Sequence, residues 1–486
     1  MLFNSFEYIF VFLPITFLLY FYLNTKRLTE ASKGLLVFSS LFFYSWWNII
    51  YLPLLLTSML FNYVVGETLT KKSEQRFVSK KSILLIGILA NISLLGYFKY
   101  ADFFIKNVNM ISGANIPLLH LALPLAISFF TFQQIAYLVD SYRGETHDYN
   151  FLNYAVFVSF FPQLIAGPIV HHKEMMPQFA NMRNKIIHER NIAAGLFIFS
   201  IGLFKKVVIA DTFAVWATAG FDTAQTLNFF EAWVTSLSYT FQLYYDFSGY
   251  TDMAVGASLL FNIRLPINFN SPYKAKNIQD FWRRWHITLS RFLKDYIYIP
   301  LGGSRQGHFR TYSNLMATFV IGGLWHGAGW TFVFWGFLHG IALVVHRLWQ
   351  NLGFRMNSFL AWFITFNFIN ITWVFFRAKD WNSALKVLGA MFDIHHIVLP
   401  DSLAQRWGFL TQFGVGFGAW LEGISGTQWS MIGIMAAMIL VTTFKNSMEM
   451  LHTFRPSLQS VLLASLLFAG GIISLRKVSE FLYFNF

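Results

Sequence analysis

Two histidines carry the chemistry this sequence can do. His326 lies in GGLWHGAGWTFVFWGF, residues 322–337, among tryptophans, phenylalanines and five glycines. His286 lies in FWRRWHITLSRFLKDYIYIP, residues 281–300. A neutral imidazole near pH 7 can take the proton of a hydroxyl as that hydroxyl attacks a carbonyl carbon. Without such a base an alcohol is a poor nucleophile. The chain has no cysteine, no GxSxG and no evident serine triad. Direct base-assisted attack on an acyl thioester therefore fits better than a covalent acyl-enzyme. The competing role for any such ring is a neutral histidine hydrogen-bonded between helices. His339 and His346, seven residues apart on one helical face, suit that role.

The element holding His326 must be broken. The apolar span 312–349 would be about 57 Å long if wholly helical, too long for one straight crossing. The glycines at 322, 323, 327 and 329 are the expected interruption. Irregular backbone at membrane depth is tolerated where it is buried in protein or lines a cavity. An ionisable ring at such a break is a functional candidate by default.

The element holding His286 reads as one amphipathic helix. Trp282, Trp285, Leu289, Phe292, Tyr296 and Ile299 recur at spacings of three and four. Arg283, Arg284, Arg291 and Lys294 crowd the other face. Such a helix prefers the membrane interface, rings in the acyl boundary and cations among phosphates. His286 follows Trp285 at the edge of the stripe, and an interfacial hydrogen-bonding role competes with a catalytic one.

The whole chain is built for lipid. Of 486 residues, 56% are hydrophobic, 19% aromatic and only 12% charged, about half the charged fraction of a soluble domain. Apolar spans fall roughly at 8–24, 35–66, 82–100, 118–139, 151–170, 193–217, 228–262, 312–349, 357–375, 409–420, 430–444 and 459–475. This predicts an all-α polytopic membrane protein of about 11–13 transmembrane helices, with re-entrant and interfacial helices. The span 35–66 should be a hairpin, because WWN at 46–48 and Pro53 interrupt it. The span 409–420 is short and glycine-bearing and should only dip into the membrane. Residues 8–24 read as a retained first transmembrane helix rather than a signal peptide, lacking a basic flank and a cleavage site. Basic runs at 26–33, 70–81 and 263–311 mark cytoplasmic loops. The net charge of +13 suits anionic headgroups, and no nucleic-acid motif is present. Residues 1–486 read as one integral-membrane domain.

Other polar groups interrupt the apolar spans. FQLYYDFSGYTDMAVG, residues 241–256, carries Asp246, Ser248, Tyr250 and Asp252. The two carboxylates could line an acceptor path, orient a histidine, or neutralise a nearby cation. Gln134 and Gln163 could hold helices together or face a substrate. Trp325 and Trp282, beside the two histidine motifs, are further candidates to line a substrate path. No zinc or EF-hand signature appears.

Taken together, ISFFTFQQIAYLVDSYRG (127–144), FPQLIAGPI (161–169), YYDFSGYTDMAVG (244–256), FWRRWHITLSRFLKDYIYIPLGGSRQG (281–307) and GGLWHGAGWTFVFWG (322–336) resemble the membrane-bound O-acyltransferase superfamily. Within it, the chain is most similar to the alginate O-acetyltransferase branch. The resemblance implies a helical ring around a funnel or tunnel, with a core over residues 5–380 and additional transmembrane helices over 381–486. It implies that His326 is catalytic and that His286 matches the second family histidine. It further implies transfer of an acyl group, acetyl in this branch, from a cytoplasmic thioester to a hydroxyl outside. The donor would be acetyl-CoA or a phosphopantetheine carrier, used as substrate, with no permanently bound cofactor and no metal. The acceptor would be an extracytoplasmic polysaccharide, or a partner acetyltransferase that hands the group on. The location implied is the bacterial cytoplasmic (inner) membrane. D-alanyl transfer to a cell-wall polymer, polysaccharide transport, and a scaffold without chemistry are the alternatives.

Overall fold

A computed structural model describes residues 1–71, 78–146, 150–475 and 482. The middle of the basic loop expected at 70–81, with Lys72 and Arg76, lies outside the described residues. Helix dominates. The strands among the described residues are Val398–Pro400 and Gly416–Gly418, a short parallel pair.

Among the described residues, six helices are long and apolar enough to cross a bilayer: Glu7–Thr25, Ile49–Thr70, Lys80–Ser112, Glu189–Thr223, Trp330–Asn351 and Ser358–Arg377. Gln428–Thr443 and Leu458–Ser474 are shorter apolar helices. Large apolar side chains such as Leu18, Ile86 and Leu466 stand exposed on these elements, which lipid rather than water would tolerate. The chain is an all-α polytopic membrane protein, as the composition predicts.

The chain forms two compact units. The first comprises Met1–Phe204, Gly249–Asn268 and Leu451–Asn485. Here the span 35–66 is the expected hairpin, Thr29–Ser45 and Leu52–Thr70, interrupted at residues 46–51. The Asn48 side chain accepts from the Ile50 amide at 3.0 Å and starts the second arm. Amide and hydroxyl side chains pin neighbouring helices: Asn91 donates to Asn62 at 2.7 Å, and Ser58 and Asn62 both donate to Gln134. A Cβ on Gly202 would lie 2.6 Å from the Gly249 carbonyl, and one on Gly256 would lie 2.6 Å from that of Gly195. Helix Glu189–Phe204 and the end of helix Phe229–Leu260 thus pack backbone to backbone, as small residues allow in lipid.

Two expected spans of this unit come out differently. The helix in 118–139 starts only at Ile127, after a non-helical run. That run is held by Asp102, whose carboxylate accepts from the amides of Leu119 and His120 at 2.7 and 3.0 Å. The span 151–170 is no single crossing. It breaks at Phe160, where φ −48° and ψ 110° leave the helical region just before Pro162, giving Phe151–Ser159 and Phe161–Leu164. Continued as one helix, the chain would set the Pro162 ring against the carbonyl four residues earlier and leave that carbonyl without its N–H donor, so the proline is accommodated in the first turn of a new helix.

The second unit comprises Lys205–Ser248 and Phe269–Met450. Its centre is the pair Gly307–His326 and Trp330–Asn351, separated at residues 327–329 as predicted. A Cβ on Gly323 would overlap the Phe332 carbonyl, and one on Gly336 would overlap that of Phe319. The two arms therefore cross at a distance only glycine permits. Residues 281–300 depart from the expected single helix. They form Ile278–Arg284, Ile287–Leu293 and a wider turn at Lys294–Tyr298. The cut falls at Trp285 and His286. Residues 409–420 form 3-10 turns and the second strand, without a crossing helix.

Candidate active site

His326 is the last residue of helix Gly307–His326, and Gly327 leaves the helix in extended backbone at φ −162°. The side chain is buried, at 3% exposure. Three aromatic rings wall it. Trp325 lies at 4.8 Å between ring centroids, Phe376 at 5.0 Å and Trp335 at 5.3 Å, each edge-to-face. That geometry sets the electropositive edge of one ring on the face of another. The break explains how three elements converge. Trp325 comes from the first arm, Trp335 from the second, and Phe376 from helix Ser358–Arg377. At a helix C-terminus the ring sits by the negative end of the backbone dipole, which offsets positive charge forming on it.

His286 occupies the cut between two short helices in the left-handed region, φ 43° and ψ 54°. Histidine is among the few side chains enriched there, at some cost in backbone strain. It is fully buried. Its ring stands edge-on to Phe247 at 4.8 Å and lies 6.2 Å from Trp325. Trp325 therefore has both candidate histidines as ring neighbours. Burial pushes the His286 imidazole well down, to about 3, so the ring is neutral throughout the physiological range.

Sequence reasoning missed the network behind these rings. Trp282 donates its indole N–H to His339 Nδ1 at 3.2 Å. Thr372 Oγ1 lies 3.2 Å from His339 Nε2 and spends its own proton on the Ile369 carbonyl at 2.9 Å. An indole can only donate, so Nδ1 is the acceptor and Nε2 carries the proton. His339 packs against Trp335 at 4.7 Å. The helix-packing role anticipated for His339 thus has a specific object: it joins Trp282, Trp335 and helix Ser358–Arg377. Spacing could not show a pairing between residues 57 positions apart.

Among the other predicted residues, Asp246 and Ser248 belong to the second unit, and Gln134, Gln163, Tyr250 and Asp252 to the first. Asp246 is ion-paired with buried Lys206, which also reaches Asp211 at 3.2 Å. Neutralising a cation was one of the roles open to Asp246. Ser248 is buried, and its hydroxyl has no hydrogen-bond partner among the described residues. Tyr250 stacks on Phe3 at 4.7 Å, and Asp252 is buried. Gln134 accepts from the Ser58 hydroxyl and the Asn62 amide described above. Gln163 donates to the Phe157 carbonyl at 2.6 Å, which Gln133 also reaches at 2.9 Å.

A second buried polar cluster was also missed. Asp140 lies 3.5 Å from His172 Nδ1 and 3.8 Å from His171 Nδ1. His172 Nε2 meets the Glu145 carbonyl at 3.1 Å. Burial lowers the His172 pKa most, and this outweighs the Glu145 carbonyl and Asp140, which both raise it. The signal was present in VDSYRG and PIVHHKE, where charge punctuates apolar runs.

Comparison with known proteins agrees with this architecture. The family model described as "MBOAT, membrane-bound O-acyltransferase family" matches residues 36–378. A peptidoglycan O-acetyltransferase of Helicobacter pylori is 50% identical over 100% of this chain and 98% of its own length. A probable alginate O-acetylase, AlgI, of Pseudomonas aeruginosa is 42% identical over 81% of this chain and 75% of its own. A teichoic acid D-alanyltransferase of Streptococcus thermophilus is more distant, 26% identical over 52% of this chain and 68% of its own. This chain is a multi-pass integral membrane O-acyltransferase, and it belongs to the membrane-bound O-acyltransferase family.

Proposed function

We propose that His326 is the general base of an acetyl transfer from a thioester to a hydroxyl of an extracytoplasmic cell-envelope polysaccharide. The observation that carries this reading is the placement of one buried imidazole at the end of a broken membrane helix, fixed by aromatic walls from three elements. In the step, the acceptor oxygen attacks the thioester carbonyl carbon as His326 takes its proton. The tetrahedral intermediate expels the thiolate, and the imidazolium returns the proton to sulfur. Atoms and charge balance with the hydroxyl and the thioester alone, giving ester and free thiol, without an oxidant or a further reactant.

Peptidoglycan is the first acceptor to test, because the relative bearing that activity aligns along essentially its whole length. An alginate-type polymer, or a partner acetyltransferase that carries the group onward, comes next. The donor is acetyl-CoA or an acetylated phosphopantetheine carrier on the cytoplasmic side, and the membrane is the bacterial cytoplasmic membrane. In this reading His286 is a neutral catalytic-site partner held through Trp325. Trp282, Asp246 and Ser248 shape the same part of the protein. Gln134, Gln163, Tyr250 and Asp252 are offered as contacts along the substrate path of the first unit.

The test is base-labile acetate released from isolated cell-wall glycan. Cells producing wild type are expected to show it. Cells producing His326→Ala, with the protein inserted at wild-type level, are expected to lack it. Unchanged acetylation in that variant overturns the assignment.

A further inference from the structure

We propose that the indole N–H of Trp335 is the donor that receives the carbonyl oxygen of the acyl thioester while His326 handles the proton. This rests on the reading of His326 as the base and adds a second reacting group to it.

Trp335 is buried at 1% exposure, and its Nε1 has no hydrogen-bond partner among the described residues. A buried N–H left without an acceptor is costly, and such groups are rare in native proteins. Other indoles of the same unit spend theirs: Trp282 on His339, Trp233 on the Met391 carbonyl, Trp362 on the Tyr273 carbonyl. Two buried indoles of this unit, Trp335 and Trp373, do not, and of these Trp335 has its ring 5.3 Å from that of His326, at 87°.

The ring is also immobilised. It stacks on Trp373 at 5.7 Å and 16°, and packs on His339 at 4.7 Å and Phe376 at 5.1 Å. The next residue, Gly336, is pressed against the Phe319 backbone. A donor fixed in advance, in a site with little water, is the arrangement that stabilises an oxyanion most effectively. As the acceptor oxygen bonds to the carbonyl carbon, the carbonyl π electrons move onto its oxygen. Trp335 donates to that oxygen, and the bond reverts when the C–S bond breaks. The ligand class is the acyl thioester, recognised at its carbonyl.

The experiment uses the full-length protein in bilayers with labelled acetyl-CoA, and with an acetylated carrier in parallel. Trp335→Phe keeps the aromatic wall and removes the N–H. Replacing Trp335 by benzothienylalanine, sulfur for N–H in an isosteric ring, does the same without changing the packing. Both are expected to lower kcat by roughly 10²–10³-fold, as loss of one oxyanion donor does, with KM for the thioester within about threefold and the thermal midpoint retained. In a His326→Ala background the benzothienyl replacement is expected to cost little more, since groups acting on one step are non-additive. If Trp335→Phe fails to fold, the benzothienyl protein decides. A benzothienyl protein with wild-type kcat overturns the proposal, as does one whose loss is confined to KM or stability. Activity surviving in His326→Ala overturns the base assignment. An inactive His326→Ala beside a fully active benzothienyl protein overturns the Trp335 assignment alone.

Discussion

Trp282 donates its indole N–H to His339 Nδ1 at 3.2 Å, and this bond ties the cut segment 278–293 to helix Trp330–Asn351. Because the same imidazole touches Trp335, the orientation of the wall around His326 depends on it. Removing His339 as Ala leaves a cavity and an orphaned indole donor. The expected cost is about 2–4 kcal/mol. Part of that cost should vanish when Trp282→Phe is already present, with a coupling of about 1 kcal/mol in a double-mutant cycle. Denaturant or thermal unfolding of the purified protein measures it. Strict additivity would show that the bond does not contribute.

The buried Lys206–Asp246 pair gives a sharper contrast. Taking one partner away leaves a charge without compensation, and Lys206→Met is expected to destabilise by about 3–5 kcal/mol. Asp211 lies 3.2 Å from Lys206 and limits the rescue. Lys206→Met with Asp246→Leu should still recover much of the loss, since well-packed apolar pairs replace buried ion pairs at little cost. Expression level and melting temperature report both variants.

Gly336→Ala tests the crossing of the two arms. Its methyl would meet the Phe319 carbonyl, and overpacking of this kind costs about 1–3 kcal/mol. Because the arms position His326 and Trp335, activity is expected to fall more than stability does. A variant with intact transfer rate would mean that the crossing has slack.

His286 makes a pH prediction. Burial holds its ring to about 3 in the folded protein against an ordinary 6.5. Between those values the unfolded chain binds the extra proton, so stability is full above about pH 6.5 and declines as pH falls toward 3. His286→Gln removes this term. The melting-temperature difference between His286→Gln and wild type is expected to shift in favour of the variant below pH 6. The transfer rate should show no inflection owed to His286 between pH 5 and 8. An inflection lost specifically in His286→Gln would contradict the neutral assignment.

Much of this was legible in residue order. The break at 327–329 followed from a span too long for one crossing, and the hairpin break at 46–51 from an asparagine and a proline in an apolar run. Local chemistry decided both. The cut at His286 was not legible, because Trp285 sits in register with an unbroken helical stripe and His286 at its edge. The left-handed turn there accompanies tertiary burial of the ring against Phe247. The His339–Trp282 bond and the unspent Trp335 N–H were hidden for the same reason: both depend on how helices pack, which the sequence leaves unordered. Asp246 kept several roles open in the sequence until Lys206 was seen beside it.

The decisive measurement is acetyl transfer by the purified protein in sealed bilayers, labelled acetyl-CoA or acetyl-carrier on one side and cell-wall glycan on the other, with wild type compared to His326→Ala. Labelled ester on the glycan with wild type and none above background with the correctly folded variant is the expected result. Equal labelling by the two proteins would contradict the account.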